Sequence, residues 1–337
     1  MRVLTPIASM PRRRRVILLA ALAALSAAAV AFATPTAVTA APAPTTTAAS
    51  APPPPTRDGL LVVDDFRTGQ IYTTRPDGSA LRQLTHVPAG DRARDPDVST
   101  DGRLITYDSD QTGSLAIYTM AIDGTGQRRV FTDLDGYLDL LPAFYPQGRQ
   151  LIFTRCKPDS GCGLATIRVD GTHLHMLTPI SADGADLLAT VSHDGHHVAF
   201  NRNGAGGIQA QIYVMRADGT HLRAVTGPAL EATSPRWSPN DHTLLFVSNC
   251  CRVSGDAYTV DAAGGPAHRV THTPYPLAVI AAAWAPSARR IVFASNRDHP
   301  DRCCQDLFIA RPDGSHARRV ALPIDHMIRV VWAPATH

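Results

Sequence analysis

Residues 212–226 read Ile-Tyr-Val-Met-Arg-Ala-Asp-Gly-Thr-His-Leu-Arg-Ala-Val-Thr. An apolar run enters an Asp-Gly turn and leaves it as a short basic and apolar run, the pattern of two strands joined by a tight hairpin. The same element recurs as Ile71-Tyr72 to Asp77-Gly78 with Leu84-Thr85, Ile117-Tyr118 to Asp123-Gly124, and Leu164-Ala165 to Asp170-Gly171 with Leu177-Thr178. Two more copies are Ala257-Tyr258 to Gly264 with Val270-Thr271, and Leu307-Phe308 to Asp313-Gly314. The turn glycines 78, 124, 171, 219, 264 and 314 are separated by 46, 47, 48, 45 and 50 residues. A fixed period of this size marks a repeat architecture rather than a single irregular domain.

A second element alternates with the first. It is clearest in Trp237-Ser238-Pro239-Asn240-Asp241, followed by the apolar run Thr243 to Ser248, and its other copies centre on Val98, Phe144, Val191, Trp284 and Trp332. Each repeat therefore carries four short strands: A at the Trp position, B after it, C at the Tyr position and D before the Thr. Four strands in about 40–45 residues is the unit of a β-propeller blade. The last repeat stops after a strand A at Trp332-Ala333-Pro334, and the repeat region opens at Arg57-Asp58-Gly59 with Leu60 to Val63, a strand B that has no A before it. Pairing the two ends would complete one blade and remove the open edges of the array. The expected fold is all-β: a six-bladed β-propeller of four-stranded antiparallel blades over residues 58–337, its ring closed by the N- and C-terminal strands.

At these residues the sequence resembles the TolB-type propeller repeat, roughly W-S-P-D-G-x-x-I-x-F followed by I-Y-x-x-x-x-D-G and L-T. The resemblance covers nearly all of residues 59–334. No copy keeps the whole Trp-Ser-Pro-Asp-Gly string, and the N-terminal α/β domain of TolB has no counterpart in the sequence. The resemblance implies a stand-alone propeller of that superfamily.

The residues before the repeats have a different composition. Arg12 to Arg15 precede an uncharged run from Val16 to Ala33 that is apolar apart from Ser26, and Val38-Thr39-Ala40 supplies small residues, the order of a secretory signal. Residues 1–40 are expected to be a signal peptide, or a signal anchor if uncleaved, since the 18-residue run reaches the length of a membrane span. Residues 41–57 are nearly all Pro, Ala and Thr and are expected to form an extended linker. The formal charge of +3 includes five leader arginines; beyond residue 40 the chain has 27 basic and 29 acidic residues. Such a body offers no footprint for nucleic acid. Gly and Pro together number 51, a turn-rich count that favours short strands.

Catalytic chemistry finds little support. Related propellers cap prolyl-oligopeptidase-type peptidases, whose nucleophile sits in a G-x-S-x-G elbow, and no such string occurs. The fourteen histidines read as surface, His173, His175, His193, His196 and His197 included, because zinc wants three or four converging ligands. The stretch Asp108 to Gly113 partly resembles a calcium loop but has Thr119 where the bidentate Glu belongs. Neither a metal nor a cofactor is expected. The six cysteines fall in B–C loops: Cys156 with Cys162, Cys250 with Cys251, and Cys303 with Cys304. In an exported chain an even count favours disulfides; Cys156–Cys162 closes a small loop and is the expected pair, the pairing of the other four being open.

The remaining candidate is the mouth of the central channel, where the D–A connections lead into the innermost strands. Polar residues there include Arg94, Asp95, Asp139, Asp186, Glu231, His326 and Arg329, a mixed-charge set able to orient a polar ligand or peptide. The expected function is a non-catalytic binding or scaffold propeller of the cell envelope, a monomer that recognises an envelope or extracellular protein or a polar ligand. It would touch a membrane only through an uncleaved anchor. The alternative is a propeller enzyme, a hydrolase or lyase acting on a polysaccharide or peptide.

Overall fold

The structure is a computed structural model that describes residues 59–131, 136–204, 209–248, 255–299, 301 and 304–335. The expected signal, the linker, Cys250, Cys251 and Cys303 lie outside the described residues. Strands β1 (Leu60–Asp65), β2 (Gln70–Thr74) and β3 (Arg82–Gln83) pair in chain order. The second sheet is β4 (Ala93–Val98), β5 (Leu104–Ser109), β6 (Ala116–Ala121) and β7 (Arg128–Arg129). Next come β8 (Leu138–Phe144), β9 (Gln150–Lys157), β10 (Gly161–Arg168) and β11 (His175–Met176), then β12 (Gly184–Val191), β13 (His197–Gly204), β14 (Gln211–Arg216) and β15 (Arg223–Ala224). Two further sheets are β16 (Ala232–Trp237) with β17 (Thr243–Ser248), β18 (Asp256–Asp261) and β19 (His268–Arg269), and β20 (Val279–Trp284) with β21 (Ile291–Ser295), β22 (Asp306–Ala310) and β23 (Arg318–Val320). The last strand, β24 (Met327–Ala333), pairs with β1, matching Leu61 to Trp332, Val62 to Val331 and Val63 to Val330.

The protein is thus an all-β propeller of four-stranded antiparallel blades, and its first and last described strands share one blade. Among the described residues, four sheets stand alone with four strands each. The fifth has eight, because a single parallel pairing, Cys162 with Ala185, joins the β8–β11 meander to the β12–β15 meander.

Strands B and C are apolar because both of their faces meet a neighbouring blade. Tyr107, Phe153, Phe200, Phe246 and Phe293 occupy matching places in successive B strands and are fully buried. Four of them stack on a C-strand ring at 5.5–6.0 Å: Tyr107 on Tyr118, Phe200 on Tyr213, Phe246 on Tyr258 and Phe293 on Phe308. The core is therefore divided among the interfaces between blades.

The Asp-Gly turn does more than reverse the chain. Gly314 has φ +81°, and a Cβ there would meet the Val270 carbonyl oxygen of the preceding blade at 1.9 Å. Gly264, the same turn one blade earlier, has φ +100° with nothing within 4 Å. Gly314→Ala is expected to cost roughly 2–4 kcal/mol, backbone strain plus overpacking, and Gly264→Ala about 1–2 kcal/mol from strain alone. Urea denaturation of the two variants measures the difference; equal losses would remove the packing role of the turn.

Candidate functional site

The innermost strands carry a bulge at one common position. Asp95, Leu141, Leu188 and Ser234 have φ of 52°, 58°, 58° and 55°, and each sits where the pairing to strand B shifts register. A bulge bends the strand and re-aims its side chains. Pro96, Pro142 and Pro235 follow three of these residues, a place where a missing N–H costs no ladder bond. The bulge residues, two polar and two apolar, line one cavity together with Arg236 and Arg329.

Two buried aspartates on B strands bind these bulges across the blade boundary. Asp64 on β1 accepts the Arg329 N–H at 2.7 Å from its own blade and the Asp95 N–H at 2.9 Å from the next. Asp108 on β5 accepts the Leu141 N–H of the next blade at 2.9 Å and faces Arg94 Nε at 3.0 Å. Burial raises the Asp64 carboxyl to about 6, helped by the neighbouring charge of Asp95, and burial raises Asp108 to about 7. Burial also raises Asp97.

Other pairs span the channel. Arg236 on β16 donates to Asp97 on β4 at 3.1 Å, and Arg329 donates to Asp95 Oδ1 at 2.7 Å and to Ser234 Oγ at 3.1 Å. Asp95, Leu141, Pro142, Leu188, Ala189, Ser234, Pro235, Arg236 and Arg329 line a half-open cavity with about 300 Å³ of empty volume, part of it continuous with solvent.

The residues picked from sequence thus separate. Asp95 and Arg329 meet at the axis. Arg94 turns to Asp108, with Asp110 at 3.6 Å. Asp139 and Asp186 are buried, and their counter-charges come from strand B of their own blades: Arg155 at 3.4 Å and Arg202 at 2.6 and 2.8 Å. Glu231 is half-buried and ends a short 3₁₀ turn, Pro228–Leu230. His326 is half-buried against Asp325 at 2.6 Å. Asp64, Asp97, Ser234 and Arg236 were not singled out from sequence, and Asp108 was weighed only within a calcium-like stretch. Asp64 and Asp108 sit near the ends of runs that read as apolar, which hides their role in the sequence.

Cys156 and Cys162 face each other across the β9–β10 hairpin and are disulfide-bonded. Cys304 is disulfide-bonded as well. It lies with Asp325 and His326 in a group whose ligand atoms fall within 4.8 Å, but a disulfide sulfur is no thiolate ligand, and two remaining groups make a poor metal site. Asp108, in the calcium-like stretch, is committed to Arg94 and Leu141, and Asp110 accepts the Arg92 N–H at 2.6 Å.

No family model matches the chain. Over 179 residues it is 27% identical to a protein named TolB homolog from Chlorobium luteolum, covering 52% of this chain and 38% of that protein. Over 183 residues it is 26% identical to an uncharacterized peptidase, YuxL, of Bacillus subtilis, covering 53% of this chain and 24% of that protein. The crystal structure of TolB from Acinetobacter baumannii superposes with a TM-score of 0.66 at 18% identity, over 82% of this chain and 67% of that one. The fold is a TolB-type β-propeller. The TolB-type chain spans well under half the length of either curated relative, so the likeness carries the architecture and leaves activity to be argued from the site.

Proposed function

We propose that this TolB-type propeller is an exported, non-catalytic binding or scaffold module of the cell envelope, recognising a protein or polar ligand on the face where the B–C and D–A loops emerge. The eight-stranded sheet counts as two blades, which makes the ring six-bladed, and the chain acts as a monomer. Residues 1–40 serve as the export signal or anchor and residues 41–57 as a spacer. Export is supported by two described disulfide sites, Cys156–Cys162 and Cys304, which suit an oxidising compartment.

The observation that carries the binding reading is how the loop face differs from the channel. Inside, charged groups are mostly engaged with one another. At the loops, aromatic rings and cations stand outward: Tyr275 is 66% exposed, and Phe66 is exposed with the Arg92 guanidinium 3.9 Å over its ring. Tyr137 lies under Arg155 and near Lys157. Aromatic and arginine side chains of this kind supply most of the energy at protein interfaces. Among the candidates read from sequence, Glu231 and His326 are the half-buried pair closest in character to such a rim, and Arg94, Asp95, Asp139, Asp186 and Arg329 form the support beneath it.

The test compares the full chain with its Phe66→Ala, Tyr275→Ala double variant, each immobilised and exposed to envelope extract. At least a tenfold loss of a retained partner is expected, about 1.4 kcal/mol. Equal retention by both would overturn the assignment of the face. The peptidase relative gives the enzyme reading its support; turnover of a peptide library by the purified full chain would establish that alternative instead.

A further inference from the structure

Around the axis the described residues place four carboxylates, Asp64, Asp95, Asp97 and Asp108, against three guanidiniums, Arg94, Arg236 and Arg329. Each guanidinium has a carboxylate: Arg94 with Asp108, Arg236 with Asp97, Arg329 with Asp95. Asp64 is held by two backbone N–H groups and brings a charge with no cation of its own. Asp110, a third exposed at the rim, has Arg92 beside it and does not alter the balance. The excess is one negative charge. One carboxylate oxygen in the set has no hydrogen-bond partner, Asp95 Oδ2, on a side chain 4% exposed that lines the cavity.

A buried, uncompensated charge is expensive, and a matching cation or a proton relieves it. The surroundings select among cations. A divalent metal wants several converging oxygens, whereas two guanidiniums share this cavity and leave one open carboxylate oxygen with the Ser234 hydroxyl. A primary ammonium is a compact charge with three donors, suited to a single charge-assisted bond. Leu141, Pro142, Leu188, Ala189 and Pro235 supply an apolar wall for its carbon.

We propose that the cavity at Asp95 is a receptor for a primary ammonium group, carried either by a small alkylamine or by the terminal amine of a partner's peptide. This deepens the binding reading by naming the chemistry beneath the loop face, and a small amine tests it without any partner, so the two can fail separately. Protons compete for the same excess charge. The groups that face Asp95 are Asp64 on β1, Arg94 on its own strand, Asp108 on β5, Arg236 on β16 and Arg329 on β24. With Asp64 near 6 and Asp108 near 7, acid fills the deficit with a proton, and ammonium binding within that range displaces it.

The experiment uses the full chain at constant ionic strength, with methylammonium and tetramethylammonium chlorides as probes. Methylammonium at about a hundred times its Kd should raise the melting temperature by several degrees at pH 7.5. Tetramethylammonium, which has no N–H, should leave it unchanged, and at pH 5.5 the methylammonium effect should shrink. Asp95→Asn should abolish the response. Should that variant not fold, proton release on mixing methylammonium with the unaltered protein near pH 7, read with an indicator dye, makes the same decision. A tripeptide amide with a free amine, set against its acetylated form, separates the sources: a response to the free peptide alone assigns a partner's terminus, and a response to methylammonium assigns a small amine. Equal effects of the two ammonium salts with no proton release, and no response to either peptide, would overturn the site.

Discussion

Deletion of residues 58–66 should abolish cooperative unfolding of the propeller, while deletion of residues 34–56 should leave the melting temperature within a degree or two. The first deletion removes β1, whose Leu61, Val62 and Val63 are fully buried. Burial of three such side chains is worth about 5–9 kcal/mol at roughly 1.5–3 kcal/mol each, which rivals the roughly 5–15 kcal/mol net stability of a typical domain. It also strips β24 of its ladder at Leu60, Leu61, Val62 and Val63 and removes the Asp64 carboxylate that joins Arg329 to Asp95 across the blade boundary. The second deletion touches none of the described residues. Circular dichroism melts of the two truncated chains make the comparison, and similar melting temperatures would show that the terminal strands do not close the ring energetically.

This closure was legible in the sequence because it rests on a count. Leu60 to Val63 is a strand B without an A, and Met327 to Ala333 is an A without a B. The four-strand unit was legible for a related reason, since short apolar runs bounded by Asp-Gly turns fix both the strand and its end. The Cys156–Cys162 bond followed from spacing alone. What escaped is the fusion of two meanders into one sheet. It depends on β9, β10, β12 and β13 each reaching eight residues, long enough for Cys162 to meet Ala185 across the boundary.

The site was half legible for a physical reason. Charges on strand A announce themselves, because polar residues just before a Trp position stand out. Their partners on strand B do not, because Arg155, Arg202, Asp64 and Asp108 end runs that read as apolar. A bulge then decides which charges face the axis. Asp139 and Asp186 sit five residues before Phe144 and Val191, equivalent positions in consecutive repeats, and that spacing alone suggests a shared cluster at the mouth with Arg94 and Arg329. Each instead pairs within its own blade, since a hydrogen-bonded neighbouring strand lies only about 4.8 Å away while the next strand A lies beyond the bulge. Register across the blade outweighs proximity around the ring.

Raising the pH from 5 to 8 should lower the melting temperature of the full chain, and Asp108→Asn should flatten that decline. Asp108 and Asp64 are raised from 3.8 to about 7 and about 6 in the folded state. A folded pKa above the unfolded one means that the native state holds the proton more tightly. The stability it contributes is complete below the unfolded value near 3.8 and is lost as pH rises through 6 and then 7. The turn aspartates shift the other way: Asp123 is lowered chiefly by the Thr125 hydroxyl and Asp101 by the Ser99 hydroxyl. Their contribution is lost only as pH falls below about 4, so the two sets act in separate windows. Asn at 108 can still accept the Leu141 N–H but presents an NH₂ where Arg94 donates, a loss of about 1–3 kcal/mol. The variant should therefore start lower at pH 5 and yet depend less on pH, whereas Asp101→Asn should keep the full slope above pH 5. A melting temperature that rises from pH 5 to 8, or an Asp108→Asn variant with an unchanged slope, would mean that this buried carboxylate is already ionised and compensated throughout.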